Sequence, residues 1–460
     1  MRYSITFTLE VYNALVAHLF QPGQTERGAY LLCGLSHTEA ETRLLVRRLL
    51  PVLSQDVLTS SPRHMEIKPQ SFMRAMKEAD IDSLAFVFVH SHPPGVRDHS
   101  PADDKTEASL FRTAYIRIGT QSAVNASIVF SALDCPVARV WHRDGSYAPI
   151  TMIRVIGDRF RFYTNPQAAG VSAQIFDRQI RAFGSAIQRV LGSLHIGVVG
   201  AGGTGSAVAE QLIRLGVGRL SEFDAQCLEA SNTTRVYGSA LKDAGKPKVE
   251  IIRRHSGHIG LGTNVKAVDS NITQRASAEL LRDCDVIFGC TDDEWGRSIL
   301  CRIATDYYIP VFDMGVKIDS RDGEIVSVEG RVTTLVPGTA CLFCRGRITA
   351  EGVTANVIAK HNKAQIDELR RQGYAPELRE NSPAVIPFTT AVASAAVQEL
   401  LHRLTGFMGS DRTSSEAILF FDQSRIRTNR VPPQAGCFCA DHVNLGIGDQ
   451  TPFLGMLWQD

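Results

Sequence analysis

Ile196-Gly197-Val198-Val199-Gly200-Ala201-Gly202-Gly203-Thr204-Gly205 is the stretch whose reading settles the second half of the chain. The apolar run through Val199 reads as a strand, the glycines as a tight turn, and the segment to about Leu215 as a helix. Glycines let a backbone approach phosphates closely, and a helix N-terminus favours negative charge. Gly200, Gly202, Gly203 and Gly205 are therefore candidate nucleotide contacts. Asp224 follows at the distance where an acidic side chain binds ribose hydroxyls. This unit fits NAD and ATP equally and does not choose between them.

Working outward, a helix-like run covers Phe176–Leu191, and strand patterns recur at Asp285–Gly289, Pro310–Met314 and Ile418–Asp422. Alternating helix and strand patterns predict a mostly parallel, doubly wound sheet. On the N-terminal side, short apolar runs at Ala29–Leu32, Leu84–Val89 and Ile128–Phe130 predict an α/β or α+β domain over residues 1–150. The small, polar Asn165-Pro166-Gln167-Ala168-Ala169-Gly170 marks an expected linker over 151–172. The second domain is expected over 173–445, with a C-terminal tail at 446–460. Residues 345–382 are rich in Lys, Arg and Glu and read as a functional or mobile loop.

The 460 residues are 44% hydrophobic and 21% charged, an ordinary globular balance that excludes disordered and collagen-like chains. Lys plus Arg (49) nearly equals Asp plus Glu (48), so charge offers no reason to expect a nucleic-acid partner. No apolar run is long enough to span a bilayer, and the N-terminus lacks signal-peptide character, so a cytoplasmic protein without a membrane partner is expected. Ten cysteines are too few for a disulfide scaffold and suit metal ligands, catalytic groups or core positions.

Leu84–Val89 ends in His90-Ser91-His92-Pro93, followed by Ser100 and Asp103. Residues i and i+2 of a strand share a face, so His90 and His92 can bind one ion. With Asp103 they supply three ligands, leaving a fourth zinc position for water. Such an ion acidifies water and polarises a carbonyl. Ser100 is placed to stabilise an oxyanion, and a carboxylate is needed to move protons. This spacing resembles the JAB/MPN (JAMM) metalloproteases, whose members are often deubiquitinases. Their upstream Glu-x-x-Gly-x-Leu-x-Gly is similar to Glu26-Arg27-Gly28-Ala29-Tyr30-Leu31-Leu32-Cys33, with Ala29 and Cys33 as small replacements. The resemblance implies Glu26 as general acid/base. His64 and His99 are read as surface histidines.

Past the glycine turn, Ser231-Asn232-Thr233-Thr234-Arg235, Gly245-Lys246-Pro247-Lys248 and Cys290-Thr291-Asp292-Asp293 with Arg297 appear in order. Together they resemble the ThiF/MoeB and ubiquitin-activating superfamily, as does Asp177-Arg178-Gln179-Ile180 upstream. The implied architecture is an N-terminal JAB/MPN-type α/β domain followed by a Rossmann-like, doubly wound ThiF-type adenylation domain. The implied chemistry is attack of a carboxylate on the α-phosphate of ATP with loss of pyrophosphate. Lys248, Arg235 and Asn232 would meet phosphate charge, Asp292 would hold Mg²⁺, and Asp224 the ribose. Arg178 would reach the ATP of a second subunit, implying a homodimer. Gln226 stands where the family has the second Asp of Asp-x-Asp.

Cys341, Cys344, Cys437 and Cys439 form two close pairs suited to a structural zinc, with His442 an alternative ligand. Between Cys344 and Cys437 the sequence has no cysteine to form a thioester. Cys227, Cys284, Cys290 and Cys301 read as buried. The combined resemblance implies a bifunctional enzyme of a bacterial ubiquitin-like pathway, cleaving at the modifier's tail and adenylating its carboxylate, with a conjugating-enzyme partner. The alternative is trimming and activation of a ThiS/MoaD-like sulfur carrier, with a sulfurtransferase partner. A non-catalytic scaffold and an NAD-dependent oxidoreductase are further alternatives.

Overall fold

The computed structural model describes residues 1–22, 25–61, 64–119, 124–131, 136–164, 174–362, 366 and 383–458. The chain divides into two compact units. The first comprises Met1–Pro166 with Asp306–Tyr308 and Leu445–Phe453, and the second holds the remainder.

The first unit is built on β1 (Arg2–Thr8), β2 (Gly28–His37), β3 (Glu41–Pro51), the hairpin β4 (Val57–Ser61) and β5 (His64–Ile67), β6 (Ala85–Ser91), β7 (Asn125–Phe130), β8 (Pro136–Trp141), β9 (Tyr147–Ile156) and β10 (Arg161–Thr164). Eight of these form a sheet in the order β1-β3-β2-β6-β7-β8-β9-β10, and a β1–β9 pairing curls it back on itself. The two-residue period of the strands sorts side chains between two cores. Ala29, Leu31 and Cys33 of β2 join Val87 and Val89 of β6 and Tyr12, Leu15 and Leu19 of α1 (Leu9–Leu19). Tyr30 and Leu32 join Phe86 and Phe88, covered by Ala75 and Met76 of α2 (Pro69–Ile81) and Phe111 and Ala114 of α3 (Pro101–Arg117).

Two expected boundaries move. Residues 151–164, expected as linker, belong to β9 and β10 of this sheet. Arg154 disguises the strand: its guanidinium is buried on Glu41 at 2.9 Å and Ser4 at 2.7 Å. The rest of that linker, including Asn165–Gly170, lies outside the described residues. The expected tail instead joins the first unit, where Gly448 bridges Leu35 and the Gly446 carbonyl lies against Gly34. Backbones approach that closely only where no Cβ intervenes.

The second unit carries α4 (Asp177–Ser193), β11 (His195–Val199), α5 (Gly203–Arg214), β12 (Arg219–Phe223), α6 (Lys248–Ile259), β13 (Asn264–Val268), α7 (Arg275–Leu280), β14 (Val286–Gly289), α8 (Glu294–Asp306), β15 (Val311–Arg321), β16 (Glu324–Leu335), α9 (Ala350–His361), a long helix Ile386–Thr405, β17 (Glu416–Phe420) and β18 (Arg425–Asn429). The sheet order is β13-β12-β11-β14-β15-β16-β17-β18. Pairing is parallel from β13 through β15 and antiparallel from there to β18. The chain leaves β11 in one direction and returns to its other side at β14. That reversal opens a crevice at the strands' C-terminal ends, where α/β sheets bind ligands. Of the charged excursion expected over 345–382, α9 is described, whereas 363–365 and 367–382 lie outside the described residues. Among the described residues, no helix is long and apolar enough to cross a membrane.

Candidate metal and nucleotide sites

In the first unit, β6 delivers His90 and His92 to its C-terminal end. There His92 N–H donates to the Phe130 carbonyl at 2.8 Å. α3 brings Asp103 to them through a capping box, in which Ser100 Oγ accepts from Asp103 N–H and Asp103 Oδ2 accepts from Ser100 N–H. His90 Nε2 and His92 Nε2 lie 3.1 Å apart, and each is 3.2 Å from an Asp103 oxygen. Three ligand atoms about 2.0–2.1 Å from one tetrahedral ion stand roughly 3.3 Å from each other, so this donor set fits zinc. Burial works to raise the Asp103 carboxyl, but hydrogen bonds from His90 and His92 outweigh it and hold the group far below the usual carboxylate range.

Glu26 is pinned by the β4–β5 hairpin: its N–H donates to the Ser61 carbonyl at 3.0 Å, and its carbonyl accepts from Ser60 Oγ at 2.9 Å. Burial raises its carboxyl, with the charge of Asp103 adding to the shift and the two histidines opposing it. A carboxyl raised in this way suits proton transfer. His64 is exposed, as expected. His99 is not a surface residue: its side chain is 7% exposed, and Nε2 lies 3.1 Å from Ser127 Oγ on β7. A lone histidine in a polar loop carries no sequence signal for such a partner.

In the second unit, the glycine turn is forced. Gly200 has φ +101°, and a Cβ at Gly205 would stand 1.7 Å from the Gly200 carbonyl oxygen. Gly203 lies under the aliphatic part of Arg235, whereas a Cβ at Gly202 would meet open space. Asp224, just past β12, accepts from Ala201 N–H at 2.8 Å and from Gln226 N–H at 2.7 Å, tying the turn to the next strand. Gln226 Oε1 accepts from Lys248 Nζ at 2.7 Å. Lys248 is 6% exposed and, among the described residues, makes no ion pair with a carboxylate. Gln226, the departure from Asp-x-Asp, thus leaves a buried ammonium facing a neutral amide. A buried charge without a counter-charge is costly unless an anion arrives to pair with it.

Asn232 is buried beside Ser231, and Asp292 stands exposed beyond β14. Arg297 is already engaged, with Nε on Asp313 at 3.1 Å and Nη2 on the Met314 carbonyl at 3.1 Å. Arg178 is exposed on α4. Sequence reading passed over Glu222 on β12, which is fully buried and whose carboxyl oxygens have no hydrogen-bond partner among the described residues. Burial, with Asp224 nearby, raises it well above the carboxylate range.

The four cysteines converge as expected. Cys341–Cys344, Cys341–Cys437, Cys344–Cys439 and Cys437–Cys439 sulfur separations are 3.8, 3.6, 3.5 and 3.6 Å. A tetrahedron of thiolates about 2.3 Å from zinc has edges of roughly 3.8 Å, so the donors fit. His442 is outside the cluster. Cys301 on α8 and Cys439 both act to lower the Cys341 thiol. Cys284 and Cys301 are buried as expected, and Cys290 is half-buried. Cys227 is exposed, because it follows β12 instead of lying within it.

Both regions of the chain that carry these residues match known proteins. Residues 176–439 match the ThiF family, and residues 8–131 match the prokaryotic homologs of the JAB domain. The chain is 30% identical over 152 residues to the SAMP-activating enzyme E1 of Haloferax volcanii, covering 33% of this chain and 53% of that protein. It is 27% identical over 188 residues to the molybdopterin-synthase adenylyltransferase of Escherichia coli, covering 40% and 72%. It is 31% identical over 160 residues to the sulfur carrier protein ThiS adenylyltransferase of Bacillus subtilis, covering 34% and 45%. The chain thus spans about half the length of the first and third of these relatives. A crystal structure of E. coli MccB with ATP aligns at a TM-score of 0.45 and 17% identity over 57% of this chain and 73% of that one. With one family model spanning more than half of its residues, the chain belongs to the ThiF family, and a JAB-type domain precedes its ThiF domain.

Proposed function

We propose that the second unit uses ATP to adenylate the C-terminal carboxylate of a ubiquitin-like or sulfur-carrier protein. We further propose that the first unit is a zinc peptidase acting at that protein's tail. The observation that carries the first reading is Lys248, a buried ammonium with no carboxylate ion pair among the described residues, linked through Gln226 and Asp224 to the glycine turn at the sheet's switch point. The names of the relatives supply the substrate class, since all three proteins activate carriers or their synthases.

As the carboxylate attacks the α-phosphate, charge builds on the phosphate oxygens. Lys248, Arg235 and Asn232 would meet it, with the N–H groups of the Gly200–Gly205 turn. Asp292 would hold Mg²⁺, which supplies charge neutralisation on the phosphates. Asp224 would orient the ribose, and Arg178 would complete the site of a second copy in a homodimer. In the first unit, His90, His92 and Asp103 would hold zinc, which supplies Lewis acidity and a water of lowered pKa. Glu26 would carry a proton from that water to the leaving amine, and the Ser100 hydroxyl, whose oxygen already accepts from Asp103 N–H, retains its proton for an oxyanion.

The conjugation and sulfur-transfer readings diverge after adenylation. The gap without cysteine between Cys344 and Cys437 favours transfer straight to an external thiol or sulfur donor. ATP–pyrophosphate exchange against candidate carriers tests the central reading, and its absence with every carrier would remove it. His92→Ala should abolish cleavage of a carrier fusion and leave exchange intact, while Asp292→Ala should do the reverse. Loss of both activities in either variant would refute two independent sites.

A further inference from the structure

The segment Pro93–Ser100 joins β6, which carries two of the candidate zinc ligands, to α3, which carries the third. Its geometry decides whether Asp103 meets His90 and His92. One residue of this segment reaches back into the sheet. His99 Nε2 lies 3.1 Å from Ser127 Oγ on β7 and 3.8 Å from Glu107 Oε1. The direction of these bonds can be worked out. Ser127 Oγ lies 2.6 Å from Glu107 Oε2 and gives its only proton to that carboxylate. It therefore accepts from His99, which must carry its proton on Nε2.

Glu107 is the anchor. It is 1% exposed, and its Oε2 also accepts from Arg139 Nε at 3.0 Å, Arg139 Nη2 at 2.8 Å and Trp141 Nε1 at 2.9 Å, all from β8. Burial first, then the charge of Arg139, pushes His99 down to about 3, so the ring is a neutral donor with a fixed tautomer. Asp103 and Glu107 are four apart on α3 and lie on one side of it. The carboxylate that anchors the helix thus sits one turn from the carboxylate that faces the histidines.

We propose that His99 is a positioning residue of the metal centre, whose Nε2–H, bonded through Ser127 to Glu107, fixes the first turn of α3 and so holds Asp103 in register with His90 and His92. The proposal rests on the reading of those three residues as a metal site. It goes beyond them by assigning a polar chain that reaches none of the ligands directly. Partners hydrogen-bonded directly to metal ligands change affinity by about 10- to 100-fold when removed, and a chain that sets the position of a ligand-bearing helix acts on the same ligand geometry.

The test is Co²⁺ loading of the full chain, followed by competition with a chelator. Thiolate-to-cobalt charge transfer identifies the cysteine site, so cobalt on the histidine–carboxylate site is counted separately by its ligand-field bands. His99→Ala should weaken that second site at least tenfold and leave the thiolate band unchanged. Ser127→Ala should do the same, and it keeps the test open if His99→Ala unfolds the first unit. His99→Gln, whose amide N–H can reach Ser127, should recover most of the affinity. Wild-type affinity in both alanine variants overturns the proposal, and so does a His99→Gln protein as weak as His99→Ala. A wild-type chain that binds cobalt only through thiolates removes the metal centre itself, a failure distinct from that of the polar chain.

Discussion

Replacing Lys248 by methionine separates a nucleotide site from an ordinary buried lysine. Lys248 is 6% exposed, and its ammonium donates to Gln226 Oε1 at 2.7 Å, with no carboxylate ion pair among the described residues. If the cation serves only the fold, its loss removes one hydrogen bond to a charged group and lowers stability by about 1.5–3 kcal/mol. If it awaits a phosphate, the apo protein bears an uncompensated charge. An apolar side chain of similar length then leaves stability unchanged or raises it. Gln226 is exposed, so water replaces its lost partner. The functional effect runs the other way. Removing one donor from a charge-stabilising site costs about 10²–10³ in rate, and the lost ground-state contact with the nucleotide adds to KM. Lys248→Met should therefore keep or raise the apo Tm, lose most of the Tm gain given by ATP, and lower kcat/KM for pyrophosphate exchange by at least about 100-fold. A variant with a clearly lower apo Tm and exchange within twofold of wild type would refute the reasoning, because Lys248 would then be a structural cation.

Glu222→Leu tests the buried carboxyl on β12. Its folded pKa is raised well above the ordinary 4.5, so its favourable contribution is full below that value and is lost as pH rises toward the folded pKa. The leucine variant should gain on wild type by up to about 1.4 kcal/mol per pH unit between pH 5 and 8; a denaturant-midpoint gap that stays constant across that range would show the carboxyl to be ionised. Gly205→Ala should destabilise the second unit by more than about 3 kcal/mol, since its Cβ would stand 1.7 Å from a backbone oxygen, whereas Gly202→Ala meets open space and should melt like wild type. Equal melting of the two variants would contradict the close turn. Cys439→Ser should remove one equivalent of zinc, measured by metal analysis, and lower the Tm of the second unit; unchanged metal content would exclude the four-thiolate site.

Much of the fold was legible in local pattern. The run Ala85–Val89 is fully apolar because both faces of β6 are buried, and it leads into the two histidines of the candidate metal site. The glycine turn announced a strand and a helix, and both formed, with β11 beginning at His195 and α5 ending at Arg214. The cysteine pairs, far apart in sequence, met as their chemistry required. Two of the failures share a cause. Arg154 broke the strand pattern of β9 because its partner Glu41 is 113 residues away, and no local window reveals that the charge is neutralised. His99 was read as a surface residue for the same reason, because Ser127 and Glu107 reach it from β7 and α3.

That cause also suggests how structural charges differ from functional ones in this chain. Arg154 and Arg139 are buried, and each is met by a carboxylate of its own unit at 2.9 Å or less. Such pairs are closed, and their role is to fix strands and helices in place. Lys248 is also buried but, among the described residues, donates to an amide and pairs with no carboxylate, and the two imidazoles lie 3.1 Å apart with the Asp103 carboxylate 3.2 Å from each. On the proposed reading each awaits a partner of definite chemistry: an anion for the ammonium, a cation for the nitrogen lone pairs. Glu222 shows that missing partners alone are not enough. It too is buried and unpaired, but a carboxyl can neutralise itself by keeping its proton, at no need of a ligand. The distinction therefore rests on two conditions together: the fold withholds the counter-charge, and the group lies at a turn or strand end where a ligand can bring it.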